Sequence, residues 1–203
     1  MQEMIKLENV IKMYEDGRRA VNGINLCVRK GECVVICGAS GSGKTTLMRL
    51  LAGMERPSSG RVMVLGKAVH EMDADRLAAF RNRHIGLLSK DAAFMGGLTV
   101  LENVALPLMI RGVSFAKREK AAKEQLKTLG LTYVAGARPA QLSSLETKLV
   151  SIARMLIAQP EVLLLHDATA SLSARDWQKF WQRLYGRFKR IIATGRSHRA
   201  DKA

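Results

Sequence analysis

Gly38-Ala39-Ser40-Gly41-Ser42-Gly43-Lys44-Thr45 follows directly on Glu32-Cys33-Val34-Val35-Ile36-Cys37 and runs into Thr46-Leu47-Met48-Arg49-Leu50-Leu51. The first flank is a short apolar run rich in β-branched residues, as in a strand buried within a sheet, and the second spaces its apolar residues as a helix does. The octet between them satisfies G-x-x-x-x-G-K-[ST]. Its glycines let the backbone fold around an anion. The helix opening near Lys44 aims its positive end and its free N–H groups at that anion. Strand, turn and helix thus make a cradle for the phosphates of a nucleoside triphosphate, in which Lys44 reaches the β- and γ-phosphates and Thr45 ligates Mg²⁺.

Working outward, apolar runs at Met4–Val10, Ile24–Val28 and Arg61–Leu65 read as further strands, separated by the turn signals Asp16-Gly17, Lys30-Gly31 and Ser58-Ser59-Gly60. Ile85–Ser89, Val162–Leu165 and Arg190–Thr194 are short continuous apolar runs that suit strands of a parallel sheet covered on both faces. Helical spacing marks 44–52, 74–82, 100–110, 115–129, 144–158 and 174–188. The last of these lines up Trp177, Phe180, Trp181, Leu184 and Phe188 as one apolar stripe, a core face. The reading is one α/β domain over 1–203, with 1–73 and 159–203 forming the core and a β subdomain, and 74–158 an inserted helical subdomain. Ligands of such a sheet bind outside the carboxyl ends of its strands.

Composition bounds the rest. The 203 residues, 47% of them hydrophobic, suffice for one sizeable core, which excludes a disordered or fibrous chain. Cys27, Cys33 and Cys37 are odd in number and clustered, so they predict no disulfide framework and are read as buried thiols in a reducing compartment. The Cys33-x3-Cys37 spacing lacks a second ligand pair for a structural zinc. No apolar run reaches the length of a membrane span, and the N-terminus has no signal-peptide core. The 33 Lys and Arg against 18 Asp and Glu leave a net charge of +15, which attracts something acidic: nucleotide, an anionic membrane surface or nucleic acid. Aromatics make up only 5%, which weakens the nucleic-acid reading. The chain after 182 is basic, a solvated tail or a membrane or partner contact.

Val162-Leu163-Leu164-Leu165-His166-Asp167 is an apolar strand ending in an acid, where the second Mg²⁺-organising carboxylate of a P-loop NTPase belongs. With it the segments stand in the order and spacing of an ABC transporter nucleotide-binding subunit, which the chain resembles from Met4 to Thr194. Lys12-Met13-Tyr14 followed by Gly17 resembles the start that supplies an aromatic for stacking on adenine. Leu98 to Leu108 is similar to the subfamily serving MacB-like, lipoprotein-releasing and cell-division permeases. Leu142-Ser143-Ser144-Leu145-Glu146, then Ile152-Ala153-Arg154 and Pro160, resembles the signature helix running into the Mg²⁺ strand. The resemblance implies a RecA-like P-loop core with an inserted helical subdomain and a small N-terminal antiparallel sheet. It implies ATP held by Tyr14 and by Gly38, Ala39, Ser40, Gly41, Ser42, Gly43, Lys44, Thr45 and Thr46, with Mg²⁺ on Thr45 and Asp167. It also implies a head-to-tail dimer in which each ATP lies between one P-loop and the other subunit's signature loop, beneath a membrane permease at the inner face of the cell membrane.

Several positions depart from the family together. Ala168 stands where a glutamate polarises the attacking water, and losing such a base costs typically about 10²- to 10⁴-fold in rate. Lys90 replaces a neutral glutamine, Ser173 an aspartate, and Gly195 the switch histidine, with His198 three residues late. In the signature, Leu145 stands for a glycine and Glu146 for a glutamine, which brings a negative charge toward a phosphate. The resulting expectation is an ATP-binding subunit whose own hydrolysis is weak or absent. Two alternatives stay open: an active transport ATPase using another base such as His166, and a soluble regulatory or nucleic-acid-associated ABC protein without a permease.

Overall fold

The computed structural model describes residues 2–89 and 93–166 and the backbone of 191–195. Lys90, Asp167, Ala168, Ser173, the 174–188 stripe and the basic tail with His198 lie outside the described residues.

Strand β1 (Glu3–Met13) turns back into β2 (Arg19–Arg29), and β4 (Ser59–Val64) pairs with the other edge of β1 before β5 (Lys67–Ala68) closes the set. All pairings in this four-stranded sheet, ordered β2-β1-β4-β5, are antiparallel. Alternation along β1 sends Ile5 and Leu7 inward, while Lys6 and Glu8 meet each other on the outer face with Nζ and Oε1 2.8 Å apart.

The second sheet is parallel and ordered β3-β8-β7-β6, from β3 (Cys33–Cys37), β6 (Ile85–Leu88), β7 (Val162–His166) and β8 (Ile191–Gly195). Helix α1 (Lys44–Leu51) joins the two sheets. Its Leu47, Met48, Leu50 and Leu51 are buried in one cluster with Ile5, Leu7, Val62 and Val64 of the antiparallel sheet and Leu164 of the parallel one. Fully burying each such side chain contributes about 1.5–3 kcal/mol, so the phosphate-loop helix is held at its strongest-packed side.

Helix α2 (Ala74–His84), capped by the Asp73 side chain on the Arg76 N–H, leads straight into β6. The helical layer consists of α3 (Val100–Ile110), α4 (Phe115–Thr128) and α5 (Ser144–Ile157), packed through Val104, Leu126, Val150 and Ile157. Capping boxes start α3 at Thr99/Glu102 and α5 at Ser143/Glu146. The fully buried Asn103 of α3 fastens the approach loop. Its Oδ1 accepts from Met95 N at 2.9 Å, and its Nδ2 donates to the carbonyls of Met95, Leu98 and Thr99.

Two expectations need correction. The cysteines are not buried: Cys27, Cys33 and Cys37 are exposed free thiols. Period-two alternation on β3 puts Val34 and Ile36 against the core and turns Cys33, Val35 and Cys37 to the opposite, exposed face. Within the 74–158 span read as a helical insert, β6 pairs in parallel with β7, so this stretch belongs to the core sheet and the helical layer proper starts at α3.

Candidate nucleotide-phosphate site

The octet opens immediately beyond the carboxyl end of β3. Gly41 and Gly43 take positive φ, 80° and 86°, which an L-residue adopts only with strain, and Gly43 is the N-cap of α1. Because that cap has no side chain and the first turn of α1 carries no acid, the first N–H groups of the helix keep their positive character. Lys44 folds back over the loop: its Nζ donates to the Gly38 carbonyl at 2.7 Å, the Ala39 carbonyl at 2.6 Å and Ser42 Oγ at 3.1 Å. The ammonium therefore sits over the concavity that the loop encloses. A Cβ added at Gly38 would project into this space, 2.6 Å from Ser42 Oγ and 3.8 Å from Lys44 Nζ. A glycine-rich turn with a lysine folded onto it, leading into an uncapped helix start, fits a phosphate chain in sign.

The next two residues face different ways. Thr45 is exposed, and its Oγ1 lies 3.0 Å from Nε2 of His166 at the end of β7. Thr46 is buried and bonds to Tyr14, whose hydroxyl lies 3.1 Å from Thr46 Oγ1 and donates to Glu55 Oε2 at 2.9 Å. Glu55 in turn pairs with Arg49 of α1 at 3.1 Å. Tyr14 is thereby fixed to the first turn of α1, with the guanidinium of Arg18 4.9 Å and the ammonium of Lys12 5.3 Å from its ring centroid. The aromatic singled out from the sequence is thus brought to the phosphate loop, and its polar tip is anchored rather than free.

On the strand next to β3, Gly195 ends β8 opposite Cys37 in the register, one residue before the loop begins. The position read as the switch histidine is therefore at the site, and it carries no side chain. Asp167 and Ala168, read as the metal carboxylate and the missing base, lie outside the described residues.

The signature segment carries its own cap. Ser143 caps α5, its Oγ donating to Glu146 Oε2 at 2.6 Å and accepting from Glu146 N at 3.3 Å. The same carboxylate accepts from Ser143 N at 2.8 Å, and its other oxygen accepts from Tyr133 Oη at 2.8 Å. These bonds, led by the Ser143 hydroxyl, hold the Glu146 carboxyl below the ordinary glutamate range and keep it charged. The charge offsets the positive end of α5. Ser144 is exposed, and Leu145, read as standing for a glycine, is 42% exposed.

Sequence reasoning missed the two contacts that frame the loop from other elements. The His166–Thr45 bond spans 121 residues, and the Ala20 carbonyl of β2 stands directly against Gly43, 2.0 Å from where a Cβ would lie.

The profile of the family described as ABC transporter matches residues 21–170. The lipoprotein-releasing system ATP-binding protein LolD of Chromohalobacter salexigens is 39% identical over 172 residues, 83% of this chain and 73% of LolD. The macrolide export ATP-binding/permease protein MacB of Bartonella quintana is 38% identical over 180 residues, 87% of this chain and 27% of MacB. The dimeric post-hydrolysis state of the ATP-binding cassette MJ0796, bound to ADP and Pi, superposes with a TM-score of 0.87 at 33% identity, covering 94% of this chain and 87% of that one. The family model covers most of the chain and the fold superposes on a solved ATP-binding cassette, so the chain belongs to the ABC transporter family as an ATP-binding subunit.

Proposed function

We propose that this subunit binds Mg-ATP through Gly38 to Thr46, with Tyr14 beside the base and Thr45 and Asp167 toward the metal, and that it hydrolyses the nucleotide weakly or not at all. The observation that carries this reading is the contrast between the two helix starts. At α1 the N-terminus has no side-chain cap and is fronted by glycines, with Lys44 folded back onto the loop; at α5 a Ser143/Glu146 capping box closes the helix start and places a carboxylate there. Retained binding chemistry beside Ala168 and Gly195 fits a nucleotide-gated clamp better than a fast ATPase.

The nucleotide state would be coupled to a membrane permease and to a second nucleotide-binding subunit, either another copy or an intact partner. A cleft of about 430 Å³ between β6, α3 and α5 supports the permease contact. Met54, Leu106, Pro107 and Ile110 give it apolar walls, and Arg81 and Arg154 give it cations. Burial pushes the Arg154 guanidinium below its ordinary value, and its Nη1 donates to the Ala93 carbonyl at 2.8 Å while its face covers Phe94 at 4.7 Å. Met54, at 53%, and Ile110, at 67%, remain exposed at the rim, an apolar margin for an inserted helix. Among the described residues no helix is long and apolar enough to cross a membrane.

The test separates binding from turnover. Nucleotide affinity and steady-state phosphate release are measured on the chain as it is and on Ala168→Glu. The proposal expects tight binding in both, negligible release in the first and a rise of about 10²-fold or more in the second. Turnover that is already substantial and indifferent to Ala168→Glu would contradict it.

A further inference from the structure

Leu164 and His166 are two residues apart on β7, so their side chains share one face of the parallel sheet. Leu164 is fully buried against α1, and His166, one repeat nearer the carboxyl end, meets the first turn of the same helix at Thr45. The phosphate site described above makes no use of an imidazole there.

We propose that His166 is a specificity-determining residue for the divalent cation that accompanies the nucleotide: with Thr45 it offers one nitrogen and one oxygen to a single ion, so the site favours ions that accept imidazole over Mg²⁺. This rests on the nucleotide-binding reading above. Two ligands at right angles on an ion with bonds of about 2.1 Å lie about 3.0 Å apart. Thr45 Oγ1 and His166 Nε2 are 3.0 Å apart, so one ion reaches both without moving α1 or β7. Both elements are fixed, α1 by its buried face and His166 by parallel pairing opposite Thr194. Thr45 is exposed and His166 half-buried. Mg²⁺ takes oxygen ligands and sheds water reluctantly, whereas imidazole suits the later first-row ions such as Co²⁺. An aliphatic side chain at 166 would supply no such bias. If the contact served only as a hydrogen bond, it would draw on the Thr45 hydroxyl and weaken every divalent ion alike.

The experiment uses the full chain with a fluorescent ATP analogue, titrated in Co²⁺ and in Mg²⁺, for the unaltered protein and for His166→Ala and His166→Asn. The expected result is tighter binding in Co²⁺, with the Co²⁺/Mg²⁺ affinity ratio falling about tenfold or more in both variants, since loss of even an outer partner of a metal ligand typically costs about 10- to 100-fold. Pulsed EPR of the Mn²⁺–ATP complex on the unaltered chain, grown with ¹⁵N-histidine, keeps the proposal testable if the variants misfold. A ¹⁵N coupling to Mn²⁺ supports it. An absent coupling overturns it, and so does an affinity ratio equal in all three proteins. If no nucleotide binds with any ion, the nucleotide-binding reading itself falls, whereas binding with an unchanged ratio removes the cation proposal alone.

Discussion

Replacing Gly43 by alanine, with Gly41→Ala as its control, tests whether β2 shapes the phosphate loop. Both glycines have positive φ, 86° and 80°, where an L-residue costs about 1–2 kcal/mol. They differ in what an added methyl meets. At Gly41 there is nothing within 4 Å, whereas at Gly43 the methyl would lie 2.0 Å from the Ala20 carbonyl oxygen and 3.1 Å from its carbon. That carbonyl belongs to β2, which pairs with β1 from Glu3↔Arg29 to Met13↔Arg19, so it cannot yield alone. Forcing extra volume into such packing costs about 1–3 kcal/mol. Gly41→Ala should therefore lose about 1–2 kcal/mol and Gly43→Ala about 2–5 kcal/mol. At about 2–4 °C per kcal/mol for a domain of this size, Tm falls by about 2–8 °C and about 4–20 °C respectively. Urea unfolding followed by circular dichroism measures this, with the midpoint moving and the slope unchanged. Equal losses in the two variants would refute the reasoning, because the Ala20 carbonyl would then exert no pressure on the loop.

Tyr14→Phe and Thr46→Val each break the hydroxyl chain to Glu55, and a double-mutant cycle should return a coupling of about 0.5–1.5 kcal/mol. Additive losses would mean the two hydroxyls do not act together. Glu102 and Glu146 are held below the ordinary glutamate range by the Thr99 backbone N–H and by the Ser143 hydroxyl respectively. Their contribution is complete above the unfolded carboxylate value of about 4.3 and is lost as pH falls through the lower folded values. Thermal melts between pH 5 and pH 3 should therefore show falling stability that Glu146→Gln and Glu102→Gln each reduce; a pH dependence indifferent to both substitutions counts against the two capping boxes. Cys27, Cys33 and Cys37 should all react with a thiol reagent in the native chain without denaturant, and slow reaction of Cys33 and Cys37 would contradict the exposed face of β3.

Much of this was legible in the sequence. The strand, glycine-rich turn and helix around Gly38 to Thr45 announce themselves locally, because turn chemistry and helix dipole act over a few residues. The helices read from apolar spacing at 100–110 and 144–158 form at Val100–Ile110 and Ser144–Ile157, each started by a capping box, Thr99/Glu102 and Ser143/Glu146. What escaped has non-local causes. β2 begins at Arg19 rather than near Ile24 because backbone pairing with β1 carries it through Arg19 to Gly23, which have no apolar pattern. The two-residue β5 is too short for any periodicity. The thiols were misread because composition says cysteine is usually buried, while the parity of β3 decides which face Cys33 and Cys37 take. His166 was noticed as a possible base, yet its meeting with Thr45 depends on β7 lying alongside α1 in the fold.

The most direct measurement of the central claim is calorimetric titration of the chain with ATP and Mg²⁺, beside Lys44→Ala. Lys44 is chosen because its ammonium covers the loop through the carbonyls of Gly38 and Ala39. Saturable heat at micromolar nucleotide that Lys44→Ala abolishes is the predicted result. A flat titration of the unaltered protein, or binding that survives Lys44→Ala undiminished, would contradict it.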